Sequence, residues 1–331
     1  MLESLLPSSQ GPNAPVTRVG CTTMSIRHFA AAVCTCVQVA AAASAQELPQ
    51  PTRATFRSAL DVVTIHASVR DRQGKLVTGL TPDDFEIRDN GQLRRVLSLR
   101  SDRESPISLA VLVDMSGSMR LSGKVGMARQ AYASVLAQLR QGQDEVAVFT
   151  FDESLHQRRD FTRDVNSLGD ALDVFEPFGS TSLYDATAAA ARTLARQASA
   201  NKAIVVLTDG TDTSSRMSAA EVSGIAASID VPVYVVATVP ASGQEVAGDR
   251  AGTRATDGAD LRDLASWTGG QFVYASSLGQ TVMAAASLIA DLRHQYLLGI
   301  EAADDPAWRR LDVKVRRPAI TVKARAGYFG G

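Results

Sequence analysis

The chain has 331 residues, 45% hydrophobic and 21% charged, with a net charge of −1. That length holds one full α/β domain plus a small second one, and the near-zero charge excludes the basic footprint of a nucleic-acid binder. Its arginine pairs (Arg94-Arg95, Arg158-Arg159, Arg309-Arg310, Arg316-Arg317) are scattered and read as solvated faces.

Residues 1–45 read as an upstream segment and a signal peptide. Residues 1–23 are polar and Pro-bearing, unlike a signal start, so Met24 is the expected initiator. Arg27 and His28 give a basic start, Phe29 to Ala42 is mostly Ala, Val and Cys, and Ala43-Ser44-Ala45 fits a small-x-small cleavage site. The alternative is a membrane anchor, but the apolar run is short of the ~20 residues that a spanning helix needs. Cleavage after Ala45 leaves no stable membrane span and makes the protein exported, periplasmic or secreted. Cys21, Cys34 and Cys36 all precede the cut, so no disulfide framework is expected. Residues 46–58 are a polar, Pro-bearing linker.

Residues 59–101 read as a small β module. Val63, Ile65, Ala67 and Val69 share one strand face, and Thr64, His66, Ser68 and Arg70 share the other, which makes His66 a solvated surface residue. Thr81-Pro82-Asp83-Asp84 starts a helical turn with Thr81 as cap. Phe85 to Arg88 and Gln92 to Leu99 flank Asn90-Gly91, a strong hairpin signal.

Residues 105–294 then alternate strand and helix. Ile107 to Val113 is a short apolar run, the pattern of a buried parallel strand. Helical spacing follows through Val125, Ala128, Tyr132, Val135 and Leu139. Asp144 to Phe151 is the next strand, with Phe161 on an antiparallel edge. Asp185 starts an Ala-rich helix, Ala203 to Thr208 is a strand, and Ser218 to Glu221 is a capping box. Val231 to Ala237, Leu261 to Trp267, Gln271 to Tyr274 and Thr281 to His294 complete the alternation. This is the pattern of an α/β fold with a doubly wound, mainly parallel, Rossmann-like sheet. Val239 to Asp257 has no apolar period and reads as a long loop, either a passive insertion or a binding loop. Residues 295–331 hold strands at Tyr296 to Glu301, around Leu311 to Val315, and at Ile320 to Ala324. Neither β region buries a core alone, so both chain ends are expected to pair into a small flanking β-sandwich-like module.

Asp114-Met115-Ser116-Gly117-Ser118 leaves the carboxyl end of the first central strand. One carboxylate and two hydroxyls converging there make half a site for a hard divalent cation. A plain Ser/Gly turn with an N-capping residue gives the same pattern. Other chemistries fail on spacing. Gly117 to Gly123-Lys124 has one residue too many for a phosphate loop, and Val125 stands where Ser or Thr is needed. Asp114 holds the place of the first glycine of a nucleophile elbow. His28, His66, His156 and His294 lack zinc-helix spacing. No catalytic constellation is visible, and the chain is not expected to be an enzyme.

Two further segments complete the pattern: Gly179-Ser180-Thr181-Ser182-Leu183-Tyr184-Asp185, and Ala203 to Leu207 running into Thr208-Asp209-Gly210. Together with Asp114 to Ser118 they resemble a von Willebrand factor A (VWA) domain with its metal-ion-dependent adhesion site. The resemblance implies a VWA fold and a metal bound by Asp114, Ser116, Ser118, Thr181 and Asp209. It implies Mg²⁺, with Mn²⁺ or Ca²⁺ as alternatives. The flanks (Gly79 to Phe85, Gln295 to Gly299, Lys323 to Phe329) resemble the VWA-related proteins of acidobacteria.

Mg²⁺ takes about six oxygens and gives up its waters reluctantly. Five protein groups leave one position open, and three of the five are neutral hydroxyls, so the cation stays electrophilic. The natural sixth ligand is an Asp or Glu carboxylate of a partner protein. The expected function is therefore an exported, metal-dependent binding module. The alternatives are a structural or assembly subunit of a cell-envelope complex with a loop-stabilising metal and, behind it, a metal-dependent hydrolase.

Overall fold

The computed structural model describes residues 62–101, 105–199, 201–228, 230–238 and 254–329. The predicted signal segment and linker, and most of the predicted loop after Ala237, lie outside these residues.

A six-stranded sheet forms the centre. Its strands are β5 (Ile107–Asp114), β6 (Glu145–Phe151), β7 (Leu155–Thr162), β8 (Asn201–Thr208), β9 (Val233–Thr238) and β10 (Phe272–Ala275). The order is β10-β9-β8-β5-β6-β7, parallel except for β6 against β7. Every residue of β5 is buried, because both sheet faces are covered. Leu109, Val111 and Val113 point to one core, shared with Ala128, Tyr132 and Val135 of α1 (Lys124–Ala137) and with Leu288, Ile289 and Leu292 of α5 (Leu278–Arg293). Ala110 and Leu112 point to the other, shared with Leu183 and Leu194 of α2 (Leu183–Ala195), Val222 of α3 (Ala219–Ser228) and Leu264 of α4 (Arg254–Thr268). A strand buried on both faces loses its polar alternation, which is why the sequence shows an apolar run there.

The two chain ends build two antiparallel sheets beside this domain. One has the order β13-β1-β11-β4, with β1 at Val62–Asp71, β4 at Val96–Arg100, β11 at Tyr296–Glu301 and β13 at Ile320–Ala324. The other has the order β14-β12-β2-β3, with β2 at Phe85–Asp89, β3 at Gln92–Arg94, β12 at Trp308–Val315 and β14 at Gly327–Phe329. Ile65, Ala67, Phe85, Ile87, Tyr296, Leu298 and Leu311 share one apolar core. Thr81 forms its capping box with Asp84.

Three local expectations are corrected. The stretch from Gln92 to Leu99 is two strands: the chain breaks at Arg95, and β4 crosses to the other sheet to pair with β11. The helix expected at Leu261 begins at Arg254, so Arg254 to Asp257 belong to α4 and not to a loop. His66 is buried, at 7% exposure. The outward face of β1 is covered by the central domain: His66 Nε2 lies 3.1 Å from Asp230 and Nδ1 3.1 Å from Gln295 Oε1.

Candidate metal centre

Sheet growth reverses between β5 and β8. From β5 the chain runs outward through β6 and β7, then returns to β8 on β5's other side and continues through β9 and β10. Ligands of open α/β sheets bind at the carboxyl ends of strands flanking such a switch point. Asp114 ends β5 there, and Asp209 follows Thr208, the last residue of the adjacent β8.

The loop after β5 is fixed by alternation. Met115 and Met119 are buried in the core below, which turns Ser116 and Ser118 to the other side. Asp114 Oδ1 accepts from the Ser116 backbone N–H at 2.9 Å, and the Ser116 and Ser118 hydroxyls lie 3.1 Å apart. Residues 117–123 then form a 3₁₀ turn that ends at Gly123, in the left-handed conformation with φ +73°, before α1 begins.

Backbone bonds bring the second loop alongside. The Gly117 N–H donates to Gly179 O at 2.9 Å, and the Phe178 N–H donates to Met115 O at 2.8 Å. A Cβ on Gly117 would sit 3.2 Å from Gly179 O, so the approach suits glycine. Thr181 is buried, and its described contacts run to a third loop. Its N–H donates to Thr213 Oγ1, and its carbonyl accepts from the N–H groups of Thr213 and Ser214. The Ser182 and Ser214 hydroxyls lie 2.9 Å apart, Asp212 accepts from the Tyr184 N–H, and Asp185 accepts from the N–H groups of Arg216 and Met217.

The bonds thus link Asp114, Ser116 and Ser118 directly. Asp209 stands close enough to Asp114 for its charge to raise that carboxyl's pKa. Thr181 sits on the adjoining loop, joined to the others through backbone rather than through its hydroxyl. Sequence reasoning missed two members. Thr208 Oγ1 donates to Asp114 Oδ2 at 2.6 Å. Lys124 Nζ lies 2.8 Å from Asp209 Oδ2; the sequence offered only its place in a failed phosphate-loop pattern.

The electrostatics are those of a carboxylate pair with little solvent. Asp114 is fully buried, and burial pushes its pKa up to about 6; bonds from Thr208 and Ser116 oppose the rise, and the charge of Asp209 adds to it. Asp209 Oδ1 is buried with no hydrogen-bond partner among the described residues. An orphaned anionic oxygen is costly, and a hard cation is the ligand that relieves it. Two carboxylates with neighbouring hydroxyls suit Mg²⁺. The residues therefore fit the metal, although among the described residues no three His, Cys, Asp or Glu side chains gather.

Residues 109–211 match the family described as von Willebrand factor type A domain, a span that contains all five predicted ligands. The match runs from β5 to the turn after β8. Among solved structures, the chain is similar to the conserved hypothetical protein BatB from Bacteroides thetaiotaomicron, at 20% identity over 56% of this chain and 98% of that one, with a TM-score of 0.45. It is also similar to a von Willebrand factor type A protein from Catenulispora acidiphila, at 15% identity over 83% of this chain and 65% of that one, with a TM-score of 0.47. A third is the PilB minor pilin from Streptococcus sanguinis, at 14% identity over 57% and 62%, with a TM-score of 0.43. Likeness at this level carries no ligand or partner across. No curated protein matches the chain.

Proposed function

We propose that this protein is an exported binding module that grips an Asp or Glu carboxylate of a partner protein through a divalent cation, Mg²⁺ first. The observation that carries the reading is the buried Oδ1 of Asp209, unpartnered among the described residues, beside buried Asp114 at the sheet's switch point. Asp114 and Asp209, with the hydroxyls of Ser116, Ser118 and Thr181, would hold the ion. The ion would supply Lewis acidity toward an incoming carboxylate. The protein's part is to exclude water beneath the ion and to hold the oxygens in place through the Met115 and Met119 anchors.

The surroundings favour a protein partner. Phe178 and Leu121 are 75% and 64% exposed on the two loops that Gly117 and Gly179 join. Exposed aromatic and aliphatic side chains on these loops suit burial in a protein interface, whose core is enriched in aromatic residues. Export rests on residues 24–45; no helix among the described residues is long and apolar enough to cross a membrane. The likeness of the flanks to the acidobacterial proteins speaks to lineage and leaves this reading unchanged.

The test is a Mn²⁺ titration of the full chain followed by electron paramagnetic resonance, with thermal unfolding in Mg²⁺. A ligand that binds only the folded state raises the melting temperature. Asp114→Ala should abolish the shift while keeping the far-UV spectrum. A Ser118→Ala, Thr181→Ala double variant that binds metal as well as wild type would sink the ligand assignment. Capture of a partner from the native envelope should then fail in chelator.

A further inference from the structure

Lys124 is the first residue of α1, where a cation meets the positive end of the helix dipole. That first turn holds no acidic side chain to offset it. The ammonium instead reaches a residue 85 positions away and sits 2.8 Å from Asp209 Oδ2, in a pair whose side chains are only 20% and 2% exposed. Helix propensity does not explain this placement; the buried carboxylate does.

Resting on the metal-centre reading above, we propose that Lys124 is a resident cation. It holds Asp209 in the metal-free protein and is displaced when the metal takes that carboxylate. The argument is one of charge. Asp209 offers two oxygens. Lys124 covers Oδ2, and Oδ1 is left bare. A divalent ion on Oδ1 with the ammonium still on Oδ2 would set three positive charges around one carboxylate in a site with little water. Like charges at that range repel strongly at low effective dielectric. Release of the ammonium into solvent removes the conflict, and its one-fifth exposure gives it a way out. The exchange makes metal affinity weaker than the oxygens alone would give, and it couples loading of the site to movement of the first residue of α1.

The experiment compares wild type, Lys124→Met and Lys124→Gln as full chains, by Mn²⁺ titration and by amine labelling of Lys124 read by mass spectrometry with and without Mg²⁺. Breaking one charge-assisted bond is worth about a tenfold change in affinity or more. Both variants are therefore expected to bind Mn²⁺ at least about tenfold tighter than wild type, and Mg²⁺ should raise the labelling of Lys124 in wild type. Equal or weaker binding by two folded variants overturns the inference and leaves the metal reading standing. So does labelling that Mg²⁺ leaves unchanged, since the ammonium would then have stayed in place. Metal bound by no form of the protein removes both readings together. Should Lys124→Met fail to fold, Lys124→Gln and the wild-type labelling still decide the matter.

Discussion

Both carboxylates of the centre are held by groups from distant parts of the chain. Thr208 reaches Asp114 across 94 positions, and Lys124 reaches Asp209 across 85. This is why the sequence pointed to candidate oxygens of the site but not to the groups that bond them. Asp114, Ser116 and Ser118 are local in sequence and end a legible strand, whereas Thr208 stood out only as the residue before Asp209, with nothing to show its bond to Asp114. Thr208→Val tests its role. The change keeps the shape and removes the donor to a fully buried carboxylate, which should lower unfolding free energy by about 2 kcal/mol in urea titrations. A loss below about 0.5 kcal/mol would mean that Ser116 alone supports Asp114.

At the scale of elements, those that bury an apolar face were legible, and those defined by a partner strand were not. β5, β8 and α2 announce themselves by composition. β14 is three residues long and exists only through pairing with β12. The opening residues of α4, Arg254 to Asp260, are mostly small or polar and include Gly258, so no apolar stripe marks them. Sheet membership was equally hidden, because β3 and β4 differ in their partners rather than in pattern. Two glycines offer opposite expectations. Gly179 has φ +80°, a conformation that costs an L residue roughly 1–2 kcal/mol. Gly179→Ala should lower stability by that amount and weaken the Mg²⁺ shift, because it strains the loop bonded to Gly117. Gly126 lies exposed inside α1 with open space around it, so Gly126→Ala should stabilise by about 0.5–1 kcal/mol. Differential scanning calorimetry of both variants checks the pair.

At the scale of the whole molecule, the flanking sheets are tied to the central domain by two acids, Asp291 fully buried and Asp230 partly exposed. Asp291 on α5, 1% exposed, accepts from Ser68 Oγ at 3.0 Å and Arg70 Nε at 2.8 Å on β1, with Lys323 nearby. Asp291→Ala removes the buried acceptor shared by Ser68 and Arg70 and should cost about 3 kcal/mol in chemical denaturation. Asp230 faces His66 and Arg325, and Arg325 also donates to the carbonyls of Ala227 and Thr64. Burial lowers the His66 pKa, but Asp230 and Gln295 outweigh it against the opposing charge of Arg325, so the net value is raised from 6.5. Burial raises Asp230, and His66, Arg325 and Lys202 pull it below its ordinary value. A raised imidazole contributes stability that is fully present below 6.5 and is lost as pH rises through the folded value. The depressed carboxylate contributes above its ordinary value and loses this only in acid. Wild type should therefore exceed His66→Gln in melting temperature at pH about 6, and the gap should narrow by pH about 9. A gap constant across that range would show that His66 acts as a neutral spacer. Sequence alternation could not reveal this tie, since it tells the two faces of β1 apart without saying what covers each.

The pairing of β1 with β11 joins segments about as far apart as His66 and Gln295, 229 positions. Synthesis runs from the amino end, so β1, β4 and the β2–β3 hairpin emerge long before β11, β12 and β13, the strands they pair with. The central domain, whose strands and helices are contiguous in the chain, can close first. Only then can the late strands β11 to β14 complete the flanking core. Long-range pairing of this kind is slow, and the waiting edges are open to the wrong neighbour. The order of assembly is thus written into the topology, and a chain that ended just after α5 would hold a finished centre beside β1 and β4 without their partners.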